Sequence, residues 1–163
     1  MKIIFRMQEF ISKSDKDTKN FAKKIAEQIL QSYGACKQAV VLGLVGDLGA
    51  GKTTFVAGLG RALGVKGRVL SPTFMLMRIH RLKVSAEGGK GEEGLKLVHI
   101  DVYRLNNFQE ILDLGWEKII ADKNNIVVVE WADKVRDLLP ENTIWINFEH
   151  GKNEKVRNLQ VLK

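Results

Sequence analysis

Residues 46–53 read Gly46-Asp47-Leu48-Gly49-Ala50-Gly51-Lys52-Thr53, which fits G-x-x-x-x-G-K-[ST] at every specified position, and Thr54 follows. Each residue type has a chemical task. The glycines let the backbone turn tightly and aim successive N–H groups inward, so that Asp47, Leu48, Gly49, Ala50 and Gly51 form a concave nest of donors around a phosphate. Lys52 brings a point charge to the β and γ phosphates, and the Thr53 hydroxyl is an oxygen ligand of the kind magnesium prefers. Thr54 supports by position. At average residue usage a chance match in a chain of this length arises about once in two hundred, so a phosphate-binding loop for a nucleoside triphosphate with magnesium is the primary reading.

Such a loop needs a carboxylate at a neighbouring strand end, to hold magnesium through water or to orient the attacking nucleophile. Two acids qualify. Glu130 follows the apolar run Ile126-Val127-Val128-Val129 and is the better formal match to the second nucleotide-binding motif, whereas Asp101 follows the less apolar Leu97-Val98-His99-Ile100. Each also reads as a strand-end acid paired with a base. Ser71-Pro72-Thr73-Phe74 places two hydroxyls beside a rigid proline, where a loop could reach back to a γ-phosphate, although by composition it is an ordinary turn. Tyr103 and Arg104 follow Asp101 closely enough to add a hydrogen bond and a positive charge, or to face solvent. His99 alternates with Asp101 and so shares its face of a strand, with a structural histidine the plainer reading. His80 and His150 belong to no constellation.

Hydrophobic periodicity supplies the elements that must position these groups. Ala39-Val40-Val41-Leu42-Gly43-Leu44-Val45 is a continuous apolar run leading straight into the loop, as expected of a strand covered on both faces. Residues 53–63 read as a helix stopped by Gly64. Upstream, Ser14-Asp15-Lys16-Asp17 resembles a capping box, and Phe21, Ala22, Ile25, Ala26, Ile29 and Leu30 recur at helical spacing until Tyr33-Gly34, where a left-handed glycine would close the helix. Val69-Leu70 and Phe74-Met75-Leu76-Met77 predict extended segments around the Ser71 loop. Residues 95–102, 126–130, 143–148 and 156–162 predict strands, the last at an edge, with helical material at Phe108, Ile111, Leu112 and Ile119 around Gly115. Strands alternating with helices give an α/β fold with a central, mostly parallel sheet flanked by helices. Residues 84–94 hold four glycines, three glutamates and a lysine without periodicity, which predicts a flexible hairpin tip at 85–94.

With 163 residues, 45% of them hydrophobic, the chain suits one domain spanning 1–163. No apolar run approaches the length that spans a bilayer, and Arg6, Gln8 and Glu9 interrupt the apolar start before a signal-peptide core could form. A single cysteine, Cys36, allows no intrachain disulfide and no multi-cysteine zinc site, so a reducing cytoplasm is expected. The net charge of +7 fits a polyanionic partner, but its 18 lysines outnumber its 8 arginines and lie scattered, as on a solvated surface.

Four motifs in order, residues 46–55, Ser71-Pro72-Thr73-Phe74, His99-Ile100-Asp101-Val102-Tyr103-Arg104-Leu105 and Val129-Glu130-Trp131, resemble the bacterial ATPase family required for threonylcarbamoyladenosine formation on transfer RNA, known as TsaE or YjeE. The resemblance implies a small P-loop fold and a role in modifying the adenosine beside the anticodon. It implies a partner complex of two related larger subunits, one carrying the transferase site, which the ATP cycle resets between turnovers; contact with tRNA would be shared with that complex. By motif, it implies that Thr53 and Glu130 serve magnesium, Lys52 the phosphates and Asp101 the catalytic region. It also places Thr73 in a switch-like loop and Trp131 near the nucleotide or partner. Base contacts would come from Asp15 to Thr18 and from residues 152–157, which include Lys152 and Arg157. The hairpin at 85–94 departs from the short family pattern.

Two other classes use the same loop. A small P-loop kinase should present an acceptor pocket and an arginine-bearing lid, and residues 85–94 contain no arginine. An RNA-binding module should show clustered stacking aromatics, and only 7% of residues are aromatic. No Asn-Lys-x-Asp guanine signature is present, which favours ATP over GTP.

Overall fold

The computed structural model describes residues 9–72, 74–82, 94–153 and 155–162. Thr73 and residues 85–93 of the expected hairpin tip lie outside them. In chain order the elements are β1 (Glu9–Ser12), α1 (Asp15–Ser32), β2 (Val40–Gly46), α2 (Lys52–Ala62), β3 (Met77–Arg81), β4 (Lys96–Asp101), α3 (Gln109–Asp113), α4 (Trp116–Ala121), β5 (Asn125–Glu130), β6 (Ile144–His150) and β7 (Arg157–Leu162).

Strands that are apolar on both faces must be covered on both faces, and this requirement sets the architecture. Every residue of β5 is buried, and it pairs in parallel with β2 from Val40↔Ile126 to Leu44↔Glu130. β4 joins the other side of β5 in parallel, and β6 joins the other side of β2 in parallel. Antiparallel strands complete both sides, giving a seven-stranded sheet in the order β1-β7-β6-β2-β5-β4-β3. On one face, Phe21, Ile25 and Ile29 of α1 and Phe55 and Leu59 of α2 cover Leu42, Leu44, Leu97 and Val128. On the other, Ile111, Trp116 and Val135 cover Val41, Val98, Ile100 and Val127. The expected α/β fold with helices on its sheet is what these demands produce. Among the described residues, no helix is long and apolar enough to cross a membrane.

Local signals held where they were chemical. Ser14 caps α1 by accepting from the Asp17 amide at 3.2 Å, while the Asp17 carboxylate accepts from the Lys13 amide at 3.0 Å, one residue earlier than a standard box. Other expectations are corrected. Gly34 is not left-handed, because α1 closes by tightening into a 3-10 turn at Tyr33–Ala35. Val69-Leu70 joins no strand, and the ladder resumes only at Met77. β7 is not an edge: β1 pairs with it from Glu9↔Gln160 to Ser12↔Arg157.

Candidate functional site

The fold brings the C-terminal ends of β2, β4 and β5 together, which is where open α/β sheets build their sites. β2 ends at Gly46 and α2 begins at Lys52, so the glycine-rich segment spans the gap between a strand end and a helix N-terminus. Gly46, Gly49 and Gly51 have φ of +144°, +75° and +103°. At Gly46 the need for glycine is also steric, since a Cβ would stand 2.2 Å from the Phe148 carbonyl oxygen of β6. Gly51 is the N-cap of α2, so the free N–H groups and positive end of that helix face the loop.

Lys52 folds back into this loop. Its ammonium donates to the carbonyls of Gly46 and, at 2.9 Å, Asp47, and it lies 3.8 Å from the centre of the Trp131 ring. Lys52 is only 4% exposed. Burial pushes its pKa below the ordinary 10.5, against the opposing pull of Glu130, Asp101, Asp133 and Asp47. A cation so held is already desolvated, which strengthens its attraction for any anion entering the loop.

The two candidate acids are register partners on adjacent parallel strands, yet they have different partners. Glu130 Oε2 accepts from the Thr53 hydroxyl at 2.9 Å, and Oε1 bonds His99 Nε2 at 2.7 Å. Asp101 Oδ2 accepts from the Ser71 hydroxyl at 2.7 Å, and Oδ1 accepts from the Tyr103 amide at 3.0 Å. Glu130 is therefore tied to the glycine-rich loop, and Asp101 to the Ser71 loop. Both are buried, at 2% and 4% exposure. Trp131, directly after Glu130, takes the left-handed conformation at φ +62°, unusual for a bulky residue. Its ring covers Lys52 and lies 4.9 Å from that of Tyr103.

These groups line a cleft of about 440 Å³, among them Lys52, Thr53, Ser71, Asp101, Glu130 and Trp131. Arg104 also lines it, its guanidinium 4.3 Å from the centre of the Phe74 ring. A second cleft of about 290 Å³ adjoins the first, sharing Gly49, Gly51 and Thr54, and is lined by Asp15, Thr18, Lys155 and Arg157. Arg157 donates from Nε to the Gly49 carbonyl at 3.2 Å, fastening β7 to the loop. Thr18 is buried with its hydroxyl against Ser12 Oγ at 2.8 Å. Asp15, Thr18 and Arg157 thus meet in one place, but Lys152 does not join them; Lys155 does. Lys155, two residues before β7, lines the cleft while staying exposed, and no local sequence signal separates the two lysines.

The pairing of Thr53 with Glu130 places a hydroxyl and a carboxylate side by side, a hard-oxygen set suited to a small divalent cation. Among the described residues no group of three His, Cys, Asp or Glu side chains is placed to hold a metal ion. A cation here would share the oxygens of a bound phosphate. Sequence reasoning left three pairings unread: His99 on Glu130, Ser71 on Asp101, and Lys155, within the 152–157 segment, on the second cleft. For His99 the shared strand face was visible; its partner across β5 was not.

The family model described as threonylcarbamoyl adenosine biosynthesis protein TsaE matches residues 12–159. The tRNA threonylcarbamoyladenosine biosynthesis protein TsaE of Haemophilus influenzae is 31% identical over 142 residues, which cover 87% of this chain and 80% of that protein. Its counterpart of the same name from Streptomyces coelicolor is 37% identical over 122 residues, covering 72% and 76%. Among solved structures, the crystal structure of Bacillus subtilis YdiB matches with a TM-score of 0.66 at 26% identity, over 96% of this chain and 87% of that one.

Proposed function

The chain belongs to the TsaE family, and from that membership we propose that it is a magnesium-dependent ATPase serving threonylcarbamoyladenosine modification of tRNA. In this reading it acts on a two-subunit transferase complex and supports that complex's repeated turnover, with contact to tRNA indirect or shared with the complex. The relatives' names supply the pathway, and the cleft supplies the chemistry. One observation carries the ATPase reading: the Thr53 hydroxyl at the start of α2 meets the Glu130 carboxylate at the end of β5, 2.9 Å apart.

The loop amides from Asp47 to Gly51 and the start of α2 receive the phosphates, with Thr54 behind them. Lys52 exchanges its loop carbonyls for β and γ phosphate oxygens. Thr53 and Glu130 would hold magnesium, which would supply positive charge against the charge developing in phosphoryl transfer. Asp101, fixed by Ser71 and the Tyr103 amide, orients the attacking water from the adjacent strand end. Trp131 closes the site over Lys52 and excludes solvent. Asp15, Lys155 and Arg157 receive the base side of the nucleotide in the adjoining cleft.

Calorimetric titration of ATP and GTP with and without Mg²⁺, together with phosphate release, tests this reading. ATP should bind more tightly than GTP, and only with magnesium should phosphate be released. Lys52→Ala should abolish both binding and release while leaving the circular dichroism spectrum intact. Unchanged turnover in that variant would remove the loop from the mechanism.

A further inference from the structure

His99 lies on β4 two residues before Asp101, fully buried, on the sheet face that α2 covers. Its ring makes one hydrogen bond, from Nε2 to Glu130 Oε1 at 2.7 Å, and Nδ1 has no partner among the described residues. Toward a carboxylate oxygen Nε2 is the donor, and Nδ1 is left without a partner in an apolar surrounding. Buried polar atoms without partners are rare and require a reason. The neighbours on this face, Leu97, Ile126 and Val128, are apolar, and a phenylalanine would fill the place without any orphaned nitrogen. The reason must therefore lie in the one bond that the ring does make.

That bond ends on the acid with two competing attractions. Glu130 faces Thr53 through Oε2, and the buried ammonium of Lys52 lies within its electrostatic reach. Yet the Lys52 ammonium is held by two carbonyls and the face of Trp131, and no salt bridge joins it to an acid among the described residues. A glutamate free to rotate could swing onto the lysine and neutralise the charge a phosphate needs. With Oε1 fixed by His99, the carboxylate has one orientation.

We infer that His99 is a positioning residue: it holds Glu130 Oε1 so that Oε2 alone faces Thr53 and the magnesium site, keeping the acid off Lys52. The inference rests on the magnesium–nucleotide reading above. Groups that orient metal ligands from behind change metal affinity by about 10–100-fold when removed.

The test uses the full chain with ATP and Mn²⁺, whose binding is followed by electron paramagnetic resonance, alongside ATP affinity in chelator. Three variants separate the bond from the packing. His99→Phe keeps the volume and loses the donor. His99→Gln places an amide nitrogen where Nε2 stood, and His99→Asn places it near Nδ1, short of Glu130. Mn²⁺ half-saturation in the ATP complex should rise about 10–100-fold in the Phe and Asn variants and stay near wild type in the Gln variant. ATP affinity without metal should fall in the Phe and Asn variants, where Glu130 can reach Lys52, and stay near wild type in the Gln variant. Unshifted Mn²⁺ binding in the Phe variant, or equal weakening in Gln and Asn, overturns the inference; so does a loss of metal-free ATP affinity that is equal in all three variants, which would make the role structural. If the Phe variant does not fold, the Gln and Asn pair decides alone. Wild-type ATP binding that ignores Mn²⁺ and Mg²⁺ altogether would instead defeat the magnesium reading, and this inference with it.

Discussion

Replacing Glu130 by glutamine changes one charge and almost no volume at a position that is 2% exposed. The amide oxygen can accept from His99 Nε2 and the amide nitrogen can donate to the Thr53 hydroxyl, so both bonds, at 2.7 and 2.9 Å in the wild type, keep a donor and an acceptor. Each bond weakens when it loses its charge, but the cost of burying that charge disappears too. Net stability should stay within about 1 kcal/mol, or roughly 2–4 °C in melting temperature for a chain of this size. Turnover should not survive so well. Losing one preorganised electrostatic group at a reacting centre costs about 2.7–4 kcal/mol, a fall of about 10²–10³ in rate. Glu130→Ala loses the same charge and also leaves the buried His99 N–H unpaired, at about 1–3 kcal/mol, so it should melt several degrees lower than the glutamine variant. The assay is single-turnover ATP hydrolysis at saturating magnesium, with melting by circular dichroism on the same samples. Equal losses of rate with unequal losses of stability are expected. Wild-type hydrolysis in Glu130→Gln would refute the reasoning and move the acid's role to Asp101.

Lys52→Met should abolish ATP binding, and it should also change how stability responds to pH. Because the folded pKa of Lys52 lies below its ordinary 10.5, the unfolded chain binds more protons between the two values; wild-type stability gains from this group as pH rises through that window and loses that gain as pH falls through the folded pKa. Urea midpoints should show this rise in the wild type and not in Lys52→Met. Gly46→Ala meets a backbone carbonyl at 2.2 Å in a conformation reserved for glycine, and should cost about 3 kcal/mol or more; Gly51→Ala, with open space around it, should cost about 1–2 kcal/mol in the same urea assay. Lys155→Ala should weaken ATP binding by up to about fivefold, as expected for an exposed charge, while Lys152→Ala leaves it unchanged by calorimetry.

The sequence disclosed what depends on neighbours in the chain. The run before Glu130, the glycine spacing of residues 46–53 and the Ser14 cap each carry their signal within a few positions, and each formed where expected. What was illegible depends on register. Thr53 and Glu130 are 77 positions apart, and only the pairing of β2 with β5 puts the carboxylate rather than that of Asp101 against the hydroxyl. Short β1 exists because β7 offers it an edge, not because four residues prefer extension. His99 shows both sides of this limit: its strand parity was readable, while its bond to Glu130 depends on β4 lying beside β5.

The central claim joins an ATP site to a partner's turnover, and one reconstitution tests it most directly. The chain is combined with the two expected partner subunits, tRNA and the threonylcarbamoyl donor, and modified adenosine is counted per transferase complex over time. With ATP and magnesium, modification should continue well past one per complex; with a non-hydrolysable ATP analogue, or with Lys52→Ala, it should stop near one. Repeated turnover that proceeds equally without the chain, or equally with the analogue, would contradict the account.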